Sequence, residues 1–146
     1  MAEAKRQADV KWQGNLQNGS GTLDLASSGA LEGTGVSFAT RAEDPAGQTS
    51  PEELVAAAHA SCYAMAFSNV LGEGGNDPEE LDVSATCTLD LDNLKISTIE
   101  LNVRGKVSGM DQSSFEEAAK EAEQMCPVSN ALRNNVEIEL NVSLED

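Results

Sequence analysis

Apolar and polar residues alternate at the start of the chain. Val10 and Trp12 flank Lys11, Leu23 and Leu25 flank Asp24, and Gly14, Asn18, Gly19 and Gly21 lie between them, which predicts a β-hairpin. Val36, Phe38 and Thr40 predict a short third strand, followed by a polar loop over 41–49. The period then changes. Ser50-Pro51-Glu52-Glu53 is a helix start, with Ser50 as N-cap, Pro51 at the first helical position and Glu53 closing a capping box. The helix is predicted to run to about Leu71, before Gly72, Gly74 and Gly75. Strict alternation returns from Leu81 through Val83, Ala85, Cys87 and Leu89 to Leu91, with a turn at Asp92-Asn93. A second long strand carries Ile96, Ile99, Leu101 and Val103, and the three-residue step between the isoleucines predicts a bulge. Residues 111–124 read as a second helix with a Ser113/Glu116 capping box. Pro127 restarts a short helical segment ended by Asn134-Asn135, and Val136, Ile138, Leu140 and Val142 form the last strand. The order βββ-α-ββ-α-β predicts an α+β fold, an antiparallel sheet wrapped around a long central helix, as one domain over residues 1–146.

The central helix carries no charge over the 18 residues Leu54–Leu71 and so needs cover on nearly every side. His59, Ser61, Ser68, Asn69 and its many alanines make it a core helix rather than a membrane span. Aromatic residues are only 3% of the chain, so the core must be aliphatic and small. Twenty-five acidic residues against nine basic ones give a net charge of −16, which repels nucleic-acid phosphates and anionic lipid surfaces. Such acidity also fits a salt-rich interior, where surface carboxylates are screened from one another.

Three cysteines carry the candidate chemistry. Their odd number and wide spacing do not make a disulfide framework, and residues 1–10 show no apolar signal core, which together predict a reducing cytoplasm. Cys62 lies mid-helix in the uncharged run, where it is either an inert packing thiol or a nucleophile that needs a nearby cation. Cys126 precedes Pro127 at a helix start, where unpaired N–H groups favour a thiolate or simply suit an N-cap. Cys87 falls on the apolar face of its strand and reads as packing. Of four arginines, Arg41 stands out because it closes the third strand just before the loop feeding the helix, whereas Arg6, Arg104 and Arg133 read as solvated surface charge. His59, three residues before Cys62, is a possible Cys-His partner or a hydrogen-bonded core residue. With one histidine and no C-x-x-C there is no basis for a metal site or a thioredoxin-type exchange motif, and no phosphate or dinucleotide loop is present.

The segment Ser50-Pro51-Glu52-Glu53-Leu54 leading into Ala58-His59-Ala60-Ser61-Cys62, followed 64 positions later by Cys126-Pro127-Val128-Ser129-Asn130-Ala131-Leu132, resembles the OsmC/Ohr family of thiol-dependent hydroperoxide reductases, as does Phe38-Ala39-Thr40-Arg41. The wording is closer to the OsmC branch than to the Ohr branch. The resemblance implies a stress-response peroxidase and an intertwined homodimer. Cys62 would be the peroxidatic thiol, Cys126 the resolving thiol, and Arg41 with Glu52 the activating pair. It further implies organic hydroperoxides as preferred substrates over hydrogen peroxide, no cofactor, and an external dithiol reductant, of lipoyl type in the Ohr branch. Glu52 and Cys62 lie ten residues apart, about 15 Å along a continuous helix at ~1.5 Å per residue, so in a shared site the carboxylate must come from a second subunit. Two other readings stand beside the peroxidase: a non-enzymatic dimeric stress protein that binds a small apolar ligand, and a thiol hydrolase using Cys62 and His59.

Overall fold

The computed structural model describes residues 2–145, and the chain folds as two compact units, residues 1–51 and 52–146. In the first, β1 (Asp9–Gln13), β2 (Ser20–Asp24) and β3 (Thr34–Val36) form an antiparallel sheet in the order β1-β2-β3. Gly21 has no side chain because Trp12 and Val36 lie across it: a Cβ there would stand 2.9 Å from the Trp12 ring. The predicted third strand ends early. Ser37 caps a short helix, α1 (Phe38–Ala42), taking the Thr40 N–H while the Thr40 hydroxyl takes the Ser37 N–H. Phe38, Thr40 and Arg41 are therefore helical rather than extended, and Arg41 lies in the last turn of α1.

The second unit contains α2 (Pro51–Glu73), β4 (Glu80–Asp90), β5 (Lys95–Lys106), α3 (Gln112–Met125), α4 (Pro127–Leu132) and β6 (Glu137–Leu144). The α+β class and the long helix are as expected. The sheet differs in two respects: the strands divide into two three-stranded sheets, and in the second β4 and β5 are antiparallel but β6 runs parallel to β5, so this sheet is mixed. The intervening α3 and α4 return the chain to the end from which β5 started, as a parallel connection requires. At the predicted bulge Thr88 pairs with Thr98 and Leu89 with Ile96, leaving Ser97 as the extra residue. The β4–β5 turn is held by Asp90, whose carboxylate accepts from the backbone N–H groups of Asp92 and Asn93 and from the Asn93 amide. α3 is capped by Asp111, which accepts the Ser114 N–H at 2.8 Å, and not by the predicted Ser113/Glu116 box.

The core of this unit joins Tyr63, Phe67, Val70 and Leu71 of α2 to Leu101 and Val103 of β5 and to Phe115, Ala119 and Ala122 of α3. α2 is long and apolar enough by length and composition to cross a membrane, yet this stripe is committed to the core. Only one face is covered within the chain. His59, Tyr63, Phe67 and Leu71, at the four-residue helical repeat, are buried, whereas Ala57, Ala58, Ser61, Met65 and Ser68 are exposed, Met65 to 73%. Among the described residues of this unit, the expected cover on nearly every side is found on one face only.

Gly105 is where packing is tightest: a Cβ would stand 2.5 Å from Cζ and 2.7 Å from Cε1 of buried Phe115. Phe115 is itself held against Phe67, with ring centroids 4.9 Å apart. Gly105→Ala is accordingly expected to cost about 1–3 kcal/mol through overpacking, read as a lower urea midpoint with an unchanged slope. An unchanged midpoint would mean that the Phe115 ring can yield.

Candidate active site

Pro127 determines how the second cysteine is presented. It cannot continue α3, and it biases the residue before it towards extended backbone; Cys126 adopts φ −81°, ψ 113°. Cys126 therefore ends α3 and caps α4, with Pro127 at the first helical position, where its missing N–H costs nothing. The first turn of α4 turns its donors towards sulfur. The Ser129 N–H lies 3.5 Å from Cys126 Sγ, and the Val128 backbone favours the Cys62 thiolate.

Cys62 of α2 packs against the buried core cluster that contains Cys126, close enough for the two thiols to influence each other's ionisation. Cys126 is fully buried and Cys62 half-buried. Burial pushes the Cys62 thiol above its ordinary range, the Val128 backbone pulls it down, and the neighbouring Cys126 thiol pushes it up again. Two facing thiols also share one consequence: ionising either disfavours ionisation of the other. The pair suits chemistry in which one sulfur is oxidised and the other closes on it.

His59 is not a partner of Cys62. Its Nε2 lies 2.6 Å from the Ser129 hydroxyl, both residues are fully buried, and its Nδ1 has no hydrogen-bond partner. Burial lowers the imidazole's affinity for a proton, against an opposing pull from the Glu123 carboxylate. That commitment removes the observation a Cys-His hydrolase would need. Tyr63, next to Cys62, donates its hydroxyl to the Ala119 carbonyl at 2.8 Å and ties α2 to α3; burial raises its phenol pKa. Along the same helix Tyr63 and Phe67 are fully buried core and Met65 is exposed.

Glu52 and Cys62 are not brought together, because α2 is continuous between them and separates them by about 15 Å. Glu52 is buried and its charge reaches Cys87 of β4, whose thiol is pushed up first by burial and then by that carboxylate. Arg133, read as solvated surface charge, is instead bound to Glu123: its Nη2 donates to the carboxylate at 2.7 Å and to the backbone carbonyl at 2.9 Å, fastening α3 to the end of α4. Ser129 was missed as a site residue. Its one available signal is its place three residues after Cys126, matching the step from His59 to Cys62.

Comparison with known proteins agrees with the fold and with the family resemblance. The pattern of the family described as OsmC-like protein matches residues 43–141. The chain is 36% identical over 136 residues to Peroxiredoxin OsmC of Escherichia coli, covering 92% of this chain and 94% of that protein. It is 33% identical over 100 residues to Organic hydroperoxide resistance protein-like 1 of Staphylococcus saprophyticus, covering 67% and 71%. Among solved structures, the organic hydroperoxide resistance protein OhrB of Bacillus subtilis superposes with a TM-score of 0.64 at 26% identity, over 94% of this chain and 98% of that one. An OsmC-like protein from Mycoplasma pneumoniae has the same fold, with a TM-score of 0.76 at 14% identity over 99% and 100%. The chain belongs to the OsmC family.

Proposed function

We propose that this protein is a cysteine-based peroxidase that reduces organic hydroperoxides, and hydrogen peroxide less well, in defence against oxidative or osmotic stress. The observation that carries the reading is the proximity of Cys62 on α2 to the buried Cys126 at the start of α4. Family membership and the printed names of the relatives, Peroxiredoxin OsmC and Organic hydroperoxide resistance protein-like 1, support it.

The Cys62 thiolate attacks the terminal oxygen of the hydroperoxide. The O–O bond breaks, the alkoxide takes a proton and leaves as alcohol, and Cys62 becomes a sulfenic acid. The Cys126 sulfur attacks the Cys62 sulfur, the S–O bond breaks, and the oxygen leaves as water. An external dithiol, of lipoyl type, reopens the disulfide by exchange, so the cycle belongs in a reducing compartment such as the cytoplasm. Arg41 holds the Cys62 thiolate and polarises the peroxide, and Glu52 orients its guanidinium by a charge-assisted hydrogen bond. The working form is a homodimer with Glu52 supplied across the interface. The 15 Å separation along α2 and the exposed, uncharged face around Met65 support that arrangement.

Intact-mass measurement of reduced protein after one equivalent of cumene hydroperoxide tests the cycle. Wild type is expected to lose about two mass units as the disulfide forms, and Cys126→Ser to gain about sixteen as the sulfenic acid persists. Unchanged masses in both would leave a non-enzymatic apolar-ligand protein as the better account.

A further inference from the structure

Two residue pairs between α2 and the start of α4 share one spacing. Cys62 lies beside Cys126, and His59 meets Ser129; in each segment the two partners are three residues apart. The second contact is fully buried on both sides and spans 70 positions of sequence. Ser129 joins the two contacts: its hydroxyl is bonded to His59 Nε2, and its backbone N–H reaches Cys126 Sγ. Displacing Ser129 therefore displaces the group that fixes the resolving sulfur.

The pair is also expensive as pure packing. A neutral imidazole has one donor and one acceptor nitrogen, and here only Nε2 is satisfied while Nδ1 is buried without a partner. An apolar side chain of similar size would avoid that cost. α4 is only six residues long and follows an extended residue, so little else in its own geometry holds its first turn in place.

Resting on the peroxidase reading above, we propose that the His59–Ser129 hydrogen bond is a positioning device for the resolving step. It keeps the first turn of α4 registered on α2, so that Cys126 stays within reach of Cys62 after Cys62 has gained an oxygen. In that step the S–S bond forms, the sulfenic S–O bond breaks, and the Cys126 proton leaves with the hydroxyl as water. His59 and the Ser129 side chain act through Cys126, without touching the peroxide.

The test separates the two steps. Reduced wild type, Ser129→Ala, His59→Leu and His59→Gln are mixed with one equivalent of cumene hydroperoxide, quenched at intervals with a sulfenic-acid trap, and weighed intact. Ser129→Ala removes one oxygen and keeps the backbone N–H; His59→Leu removes both ring nitrogens; His59→Gln keeps a hydrogen-bonding group towards Ser129. In Ser129→Ala and His59→Leu, sulfenic acid is expected to form at a rate within about three-fold of wild type, while disulfide formation slows about 10- to 100-fold, the scale of an ångström-sized misplacement. Trapped sulfenic acid then accumulates, and excess peroxide carries it on to sulfinic acid. His59→Gln is expected to recover part of the resolving rate and serves as the independent variant if Ser129→Ala loses thermal stability. A merely structural pair would lower the melting temperature and leave the ratio of the two rates unchanged; that result would overturn the proposal. Wild type that forms no disulfide at all would instead overturn the peroxidase reading beneath it.

Discussion

Replacing Arg41 by methionine is expected to slow peroxide consumption about 10- to 1,000-fold at neutral pH, because an opposite charge within a few ångströms shifts a titrating group by roughly one to three pKa units. A buried thiol beside a second thiol ionises more readily with a cation near it. The Cys62 thiol is pushed up by burial and by Cys126, against a downward pull from the Val128 backbone. Only the thiolate attacks peroxide. With a raised pKa the thiolate fraction at neutral pH is small, and it grows about tenfold per pH unit until the pKa is passed. Removing the guanidinium proposed to hold the thiolate is expected to move that pKa higher still. The deficit of Arg41→Met is therefore expected to be largest near neutrality and to narrow as pH rises. Initial rates across this range, alongside alkylation of Cys62 in a Cys126→Ser background, separate the loss of thiolate from any loss of peroxide polarisation. Arg41→Lys is expected to recover only part of the rate, since an ammonium restores charge without the planar fork that a carboxylate can orient. A profile for Arg41→Met that overlays wild type would remove Arg41 from the site.

Long periodic segments were legible from sequence, and bonds between distant segments were not. Alternation from Leu81 to Leu91 locates β4, and the broken period between Ile96 and Ile99 locates the bulge at Ser97, because side-chain period follows directly from backbone geometry. The direction of β6 was not visible, since alternation is the same in parallel and antiparallel pairing; the excursion through α3 and α4 decides it. Phe38 and Thr40 look like a strand over so short a stretch, and the reciprocal Ser37–Thr40 bonds override that pattern locally. In the candidate site, Cys62 and Cys126 were legible because each sits in a distinctive frame, and the structure brings them together. Ser129 was not, because burying a hydroxyl is tolerable only when a partner exists, and that partner, His59, is 70 residues away. Arg133 is the same case: Glu123 makes it a fastening between helices, where sequence suggested only solvated charge.

Mixing two inactive variants is expected to restore activity, and the geometry of α2 is the reason. Cys62→Ser lacks the proposed nucleophile, and Glu52→Gln lacks the carboxylate proposed to orient the guanidinium while keeping the shape of a buried side chain. Each homodimer is expected to be silent. In a mixed dimer, the subunit carrying Glu52→Gln retains Cys62, and its partner, carrying Cys62→Ser, retains Glu52. If each site draws its thiols from one chain and its carboxylate from the other, the mixed dimer has one intact site, and the other site lacks both groups. Co-expressed and purified through two different tags, it is expected to turn over peroxide at about half the wild-type rate, one of two symmetry-related sites being whole. A site assembled within one chain predicts no recovery, since neither subunit then has both groups. The continuous helix from Pro51 to Glu73 disfavours that alternative: ten residues of α-helix hold Glu52 and Cys62 about 15 Å apart, several times the reach of a charge-assisted hydrogen bond. Recovery would also give the exposed face around Met65 its occupant, a second copy of the chain, and would explain how a helix without charge from Leu54 to Leu71 remains stable in water.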